Sequence, residues 1–271
     1  MRKKHLLSSK LPILSMLLSI VVSAIIIFSS SDIVSSPVLG YYVSCVTAVI
    51  WLLLFKLWFS PEYKGCFRTE IPYKEIGVLF IPFAVKCVLS VVFTVVDSGF
   101  YFKPTAAALA MALAAGFGEE TLVRGLAVPI GMRYLKNKNR AIITAVFTSL
   151  IFGAMHMGNA TQGASVTMAA LQSVAAAFGG VLFCAVFLRT GNILISMFMH
   201  ALFDWICFVT DPTLKDGIMT NEAITIGLIL ALALDIAVGI WALYLIRPAM
   251  RDKIEEVWDK KWSGQRTKVT E

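Results

Sequence analysis

Three short constellations of ionisable residues sit inside runs of otherwise apolar sequence. They are Glu119-Glu120-Thr-Leu-Val-Arg124, Phe152-Gly-Ala-Met-His156 and His200-Ala-Leu-Phe-Asp204. Glu, His and Asp side chains take and return protons, orient water and bind metal ions. Peptide hydrolysis needs an activated water and a group that stabilises the tetrahedral oxyanion. Low-dielectric surroundings make a carboxylate a stronger base, and a neutral imidazole can orient water or ligate a metal. Glu119, His156, His200 and Asp204 are also acceptable zinc ligands, with one coordination position left for water. No HExxH helix occurs, so a conventional zinc-peptidase helix is excluded.

The elements that must position these residues are membrane helices. Of 271 residues, 58% are hydrophobic and only 15% charged, where soluble domains run nearer half apolar and a quarter charged. The excess is gathered into runs long enough to cross a hydrocarbon core of about 30 Å. Backbone groups in lipid must be satisfied within the segment, which makes the runs helices. The runs predict eight spans near 11–30, 38–59, 76–97, 104–128, 141–158, 164–188, 191–209 and 222–246. The expected fold is thus an all-α polytopic bundle. One transmembrane domain covers 1–246, with a catalytic core at about 104–209, and a charged cytoplasmic tail covers 247–271. The apolar run that follows Arg2, Lys3 and Lys4 is longer than a signal-peptide core and reads as a retained first span.

Charge distribution gives the orientation. With the N-terminus inside, the first ten residues, the 56–74 linker, the 133–140 loop, Arg189 and the tail collect 20 of 24 basic residues. Both termini are therefore expected in the cytoplasm by the positive-inside rule. The net charge of +7 is a topology signal, and no nucleic-acid partner is implied. Five scattered cysteines (Cys45, Cys66, Cys87, Cys184 and Cys207) show no paired spacing and read as small packing residues.

A charge near the bilayer centre costs about 2.5–3.5 kcal/mol on insertion scales, so intramembrane ionisable residues are functional hypotheses. At the helical rise, Glu119 lies ~21 Å from Arg133, His156 ~24 Å from Arg140 and His200 ~16 Å from Arg189. Three helices thus bring polar groups to within about two turns of one level. Glu120 with Arg124, and His200 with Asp204, share helix faces at four-residue spacing. The fourth span is too long for a straight crossing, and Gly125, Pro129 and Gly131 are expected places for a bend. Lys86 and Asp235 stand at similar depth and are expected to pair between the third and eighth spans.

EExxxR, FxxxH and HxxxD in this order, on successive helices of an eight-span chain, resemble the CAAX protease and bacteriocin-processing (Abi) family. The likeness runs from about Gly116 to Trp205 and includes Gly118–Gly125 and the Arg-Thr-Gly-Asn turn at 189–192. It implies an intramembrane endopeptidase acting on a membrane-associated protein or peptide; members are described as metalloproteases in many cases and glutamate-type enzymes in others. The resemblance makes Glu119 the general base, polarising water with His156. His200 and residue 204 would stabilise the oxyanion or complete a zinc site. Glu120 and Arg124 would support them. Many members carry Asn at the last motif position, whereas an ionised Asp204 cannot donate a hydrogen bond to an oxyanion; it can still orient His200, bind a metal, or act as a protonated acid when buried.

Plainer readings stand beside these. A lone intramembrane His commonly bonds a neighbouring helix, Glu120 with Arg124 can be purely structural, and Asp204 can tie down its own helix. The rival functions are a non-catalytic membrane scaffold or bacteriocin-immunity factor and a proton-coupled transporter. Short loops make a prokaryotic plasma membrane the expected location.

Overall fold

The computed structural model describes residues 6–215, 217–219 and 223–263. The N-terminal cations Arg2, Lys3 and Lys4, the third histidine His5 and the end of the charged tail, 264–271, lie outside them. Helices account for nearly all of the architecture: α1 (Leu6–Lys10), α2 (Pro12–Ser31), α3 (Pro37–Trp58), α4 (Tyr73–Ser98), α5 (Ala106–Ala114), α6 (Ala127–Tyr134), α7 (Arg140–His156), α8 (Val166–Thr190), α9 (Ile193–Thr210), α10 (Ile226–Leu245) and α11 (Arg251–Lys261). Eight segments are long and apolar enough to cross a membrane, with α5 through α6 forming one continuous span of 29 residues. They match the eight expected from the sequence, and the protein is a multi-pass membrane protein. Its two short strands, Leu214–Lys215 and Ile218–Met219, form a small antiparallel hairpin after α9.

Helix α8 is the most enclosed span and packs against α7, α9 and α10. From Gly179 to Thr190 every one of its residues is buried. Spans α2, α3, α4 and α10 lie toward the periphery, with Val46, Val88, Val96 and Ile229 exposed on faces that suit lipid. The turn between α8 and α9 is as tight as expected. Gly191 adopts a left-handed conformation at φ +68°, where a side chain is disfavoured. Asn192 accepts from the Leu194 amide at 3.0 Å and starts α9, while its own amide group donates to Thr69 at 3.0 Å. That fixed start sets the level of His200 two turns on.

The fourth span bends differently from expectation. Two π-helical turns, Ala115–Glu119 and Thr121–Gly125, interrupt it, and Leu126 closes the irregular stretch at φ −107°. Of the three expected bend points, only Gly125 belongs to the distortion. Pro129 falls in the first turn of α6, where a missing N–H costs nothing, and Gly131 instead admits the Thr144 side chain and Met16. The wide turns arise where Gly116 lies flat against α9: a Cβ there would sit 2.5 Å from the Met197 carbonyl and 2.7 Å from Ala201. Such single-turn π bulges concentrate at functional sites.

The charged tail packs against the helix bundle along its described length. Ile254, Val257, Trp258 and Trp262 are buried, because α11 docks against α8 and α6. The Trp258 indole donates to the Leu188 carbonyl at 3.1 Å, Arg140 grips Glu255 with two nitrogens, and Lys261 pairs with Glu70 at 3.0 Å. The 59–72 linker joins the same cap through Lys64 with Lys261 and Ile193 with Cys66, both at 2.9 Å. Burial pushes the Cys66 thiol up to about 11, which leaves it protonated and inert. All five cysteines are free.

Lys86 and Asp235 pair as expected, both nearly enclosed. Removing one member leaves an uncompensated buried charge, which costs about 3–5 kcal/mol. Lys86→Leu with Asp235 intact is therefore expected to lower folded yield sharply in size-exclusion chromatography. An unchanged yield would remove the pair from the forces that hold α4 to α10.

Candidate active site

The first π turn ends at Glu119 and the second begins just after Glu120, and the two carboxylates have different surroundings. The Glu119 side chain is 30% exposed and lines a cavity of about 700 Å³. Glu120 is fully buried and paired with Arg124, itself fully buried. Arg124 also donates to the Gly180 carbonyl at 3.2 Å, and its guanidinium lies 4.8 Å from the Phe152 ring centre. Such further contacts offset part of the cost of burying an ion pair, although Glu120 Oε2 and Arg124 Nε are buried without a hydrogen-bond partner.

His200 is the hub of the cluster. Its Nδ1 lies 3.0 Å from Glu120 Oε1, so with Glu120 ionised the Nδ1–H donates and the Nε2 side faces away. That side stands 3.7 Å from Glu119 Oε2 and 3.5 Å from Asp204 Oδ2. The ring is clamped by Phe183, stacked with centroids 4.8 Å apart and planes 16° apart, and by the edge of Phe152. Each ring nitrogen thus has a defined duty, the arrangement by which proteins fix a histidine tautomer.

His156 reaches the same cavity from the end of α7. Its Nδ1 lies 2.9 Å from the Phe152 carbonyl. A carbonyl only accepts, so Nδ1 carries a proton, and in the neutral ring the lone pair is on Nε2. The Phe152 ring meets His156 edge-on at 4.8 Å. One side chain therefore packs on His156, His200 and Arg124 together.

The structure accordingly gathers Glu119, Glu120, Arg124, His200 and Asp204 into one cluster and sets His156 on the wall of the same cavity. The proposed zinc set, Glu119, His156, His200 and Asp204, is not drawn into a cage. Among the described residues no group of three or more His, Cys, Asp or Glu side chains stands close enough to hold a metal ion, while His200, with Nδ1 held by Glu120, presents Nε2 to the cavity carboxylates. The steps proposed for this site use protein side chains alone.

Two contributors escaped sequence reasoning, Gly180 and Phe183 of α8. The Gly179-Gly180 pair inside an apolar span was the available signal, since small residues let membrane helices approach closely. A Cβ on Gly180 would lie 2.7 Å from Arg124 Nη2 and 3.2 Å from Phe152, whereas one on Gly179 meets nothing within 4 Å. Overpacking costs about 1–3 kcal/mol. Gly180→Ala is expected to lower the thermal midpoint in detergent by that equivalent, with Gly179→Ala near wild type. Equal midpoints for the two variants would show that Arg124 can move aside.

No curated protein and no solved structure matches the chain. A family model does match: residues 101–206, the stretch that holds Glu119 through Asp204, match the model of the family described as Rce1-like, type II CAAX prenyl endopeptidase Rce1-like, the likeness to which the three motifs also point.

Proposed function

We propose that the protein is an intramembrane endopeptidase in which Glu119 activates the attacking water. The observation that carries this reading is the division of labour between adjacent carboxylates. Glu119 is open to the cavity, while Glu120 is spent on Arg124 and His200. Water held between Glu119 and the lone pair of His156 Nε2 would lose a proton to Glu119 as its oxygen attacks the carbonyl carbon of the substrate. Glu119 then returns that proton to the departing amine. His200, oriented by Glu120 and the Phe183 ring, keeps Nε2 between Glu119 and Asp204 and can donate from it when protonated. The substrate is a membrane-associated protein or peptide segment that enters the cavity. The match of residues 101–206 to the model of a protease family supports the same reading. The charge distribution favours both termini in the cytoplasm, and the short loops favour a prokaryotic plasma membrane as the setting.

The test is reconstitution into liposomes with a quenched-fluorophore peptide library. Wild type is expected to cleave members of the library, and His156→Ala to cleave the same members at least about tenfold more slowly. Unaltered rates in His156→Ala would remove that residue from the water-binding role.

A further inference from the structure

Position 204 poses a chemical problem for a hydrolase. The tetrahedral intermediate needs a hydrogen-bond donor where its oxyanion develops, and an ionised Asp204 only accepts. The rest of the cavity wall is also short of donors with charge. Its lining includes Asp97, Glu119, Asp204, Asp211 and Asp235, and the one Lys or Arg among the described lining residues is Lys86. Asp97 is occupied by Thr225 and the Gly227 amide, and Asp211 by Thr213.

Lys86 is well placed. Its ammonium lies 3.8 Å from the centre of the Phe203 ring, and Phe203 immediately precedes Asp204. Measured from the helix ends on the expected cytoplasmic side, Tyr73 and Ile193, Lys86 and Asp204 stand ~20 Å and ~17 Å deep, within one helical turn of each other. The ammonium has three N–H groups. Asp235 takes one and Phe203 offers only its ring face, so donor capacity remains. Both Lys86 and Asp235 lie outside residues 101–206, in α4 and α10, which makes the pair an addition from elsewhere in this chain to the three-motif core.

We propose that Lys86 donates to the oxyanion of the tetrahedral intermediate, with Asp235 as the positioning residue that aims it. The inference rests on the peptidase reading above. When water attacks, the carbonyl π electrons move onto oxygen, which accepts a hydrogen bond from the Lys86 ammonium. As the C–N bond breaks, those electrons re-form the carbonyl, the amine takes the proton that Glu119 holds, and Lys86 keeps all of its own.

The experiment follows the best-cleaved peptide of the liposome library. Its central variant is the double change Lys86→Met with Asp235→Leu, since replacing a buried ion pair with apolar residues commonly preserves folding. Should it not fold, Lys86→Met with Asp235→Asn decides in the same way. The expected result is wild-type folded yield with kcat down about 10²-fold and KM within about threefold, whereas Lys86→Arg, which still donates, stays within about tenfold of wild type. Wild-type kcat in the folded double variant would overturn the inference, as would equal losses in the Arg and Met variants. Glu119→Gln in parallel separates the two levels. If it is inactive while the double variant is active, only the Lys86 role fails. If it cleaves normally, or wild type cleaves nothing, the peptidase reading fails and this inference with it.

Discussion

Glu119→Gln is expected to lower turnover by at least ~10²-fold, the lower range for loss of a general base, while folded yield and thermal midpoint stay at wild-type values. Glutamine keeps the size and one acceptor oxygen of glutamate but cannot take a proton from water. The side chain faces the cavity and stands 3.7 Å from His200 Nε2, so no tightly enclosed ion pair is broken. Near-normal cleavage by this variant would end the mechanism, because the mechanism gives the proton of the attacking water to Glu119. Asp204 sits beyond His200 on its own helix, four residues on.

The largest structural effect is expected at Arg124. Arg124→Leu would strand the Glu120 carboxylate, which has no solvent exposure at all, and breaking such a pair costs about 3–5 kcal/mol. Size-exclusion profiles and thermal midpoints in detergent should show most of the folded protein lost. Glu120→Gln combined with Arg124→Met removes both charges and should recover much of the fold. Turnover should stay low even then, because His200 Nδ1 loses the ionised acceptor that fixes its tautomer. A single Arg124→Leu variant that folds and cleaves like wild type would show that the pair neither supports the bundle nor positions His200.

What the sequence disclosed follows from the cost of charge in lipid. Ionisable residues inside apolar runs are few, and each must find a partner. Depth along the helices was therefore enough to bring Glu119, His200 and Asp204 together and to join Lys86 to Asp235 across 149 positions of chain. The features that stayed hidden depend on backbone shape or on apolar contact. The two π turns leave no pattern in residue type beyond Gly116 and Gly118, and glycine in a membrane helix is common. The stacking of Phe183 on His200 looks like any other aromatic residue of a buried span. The docking of α11 was legible in principle: Ile254, Val257, Trp258 and Lys261 recur at the spacing of one helix face, and all four are buried. The surrounding Asp, Glu, Lys and Arg residues masked that stripe in any average over the segment.

The most direct test of the central claim compares protein N-termini in membranes of cells that carry wild type or Glu119→Gln at equal expression. The account predicts termini that appear only with wild type, and their sequences would name candidate substrates. Identical termini in the two membranes, with any wild-type phenotype preserved in the variant, would contradict proteolysis and leave a non-catalytic scaffold built on the same fold.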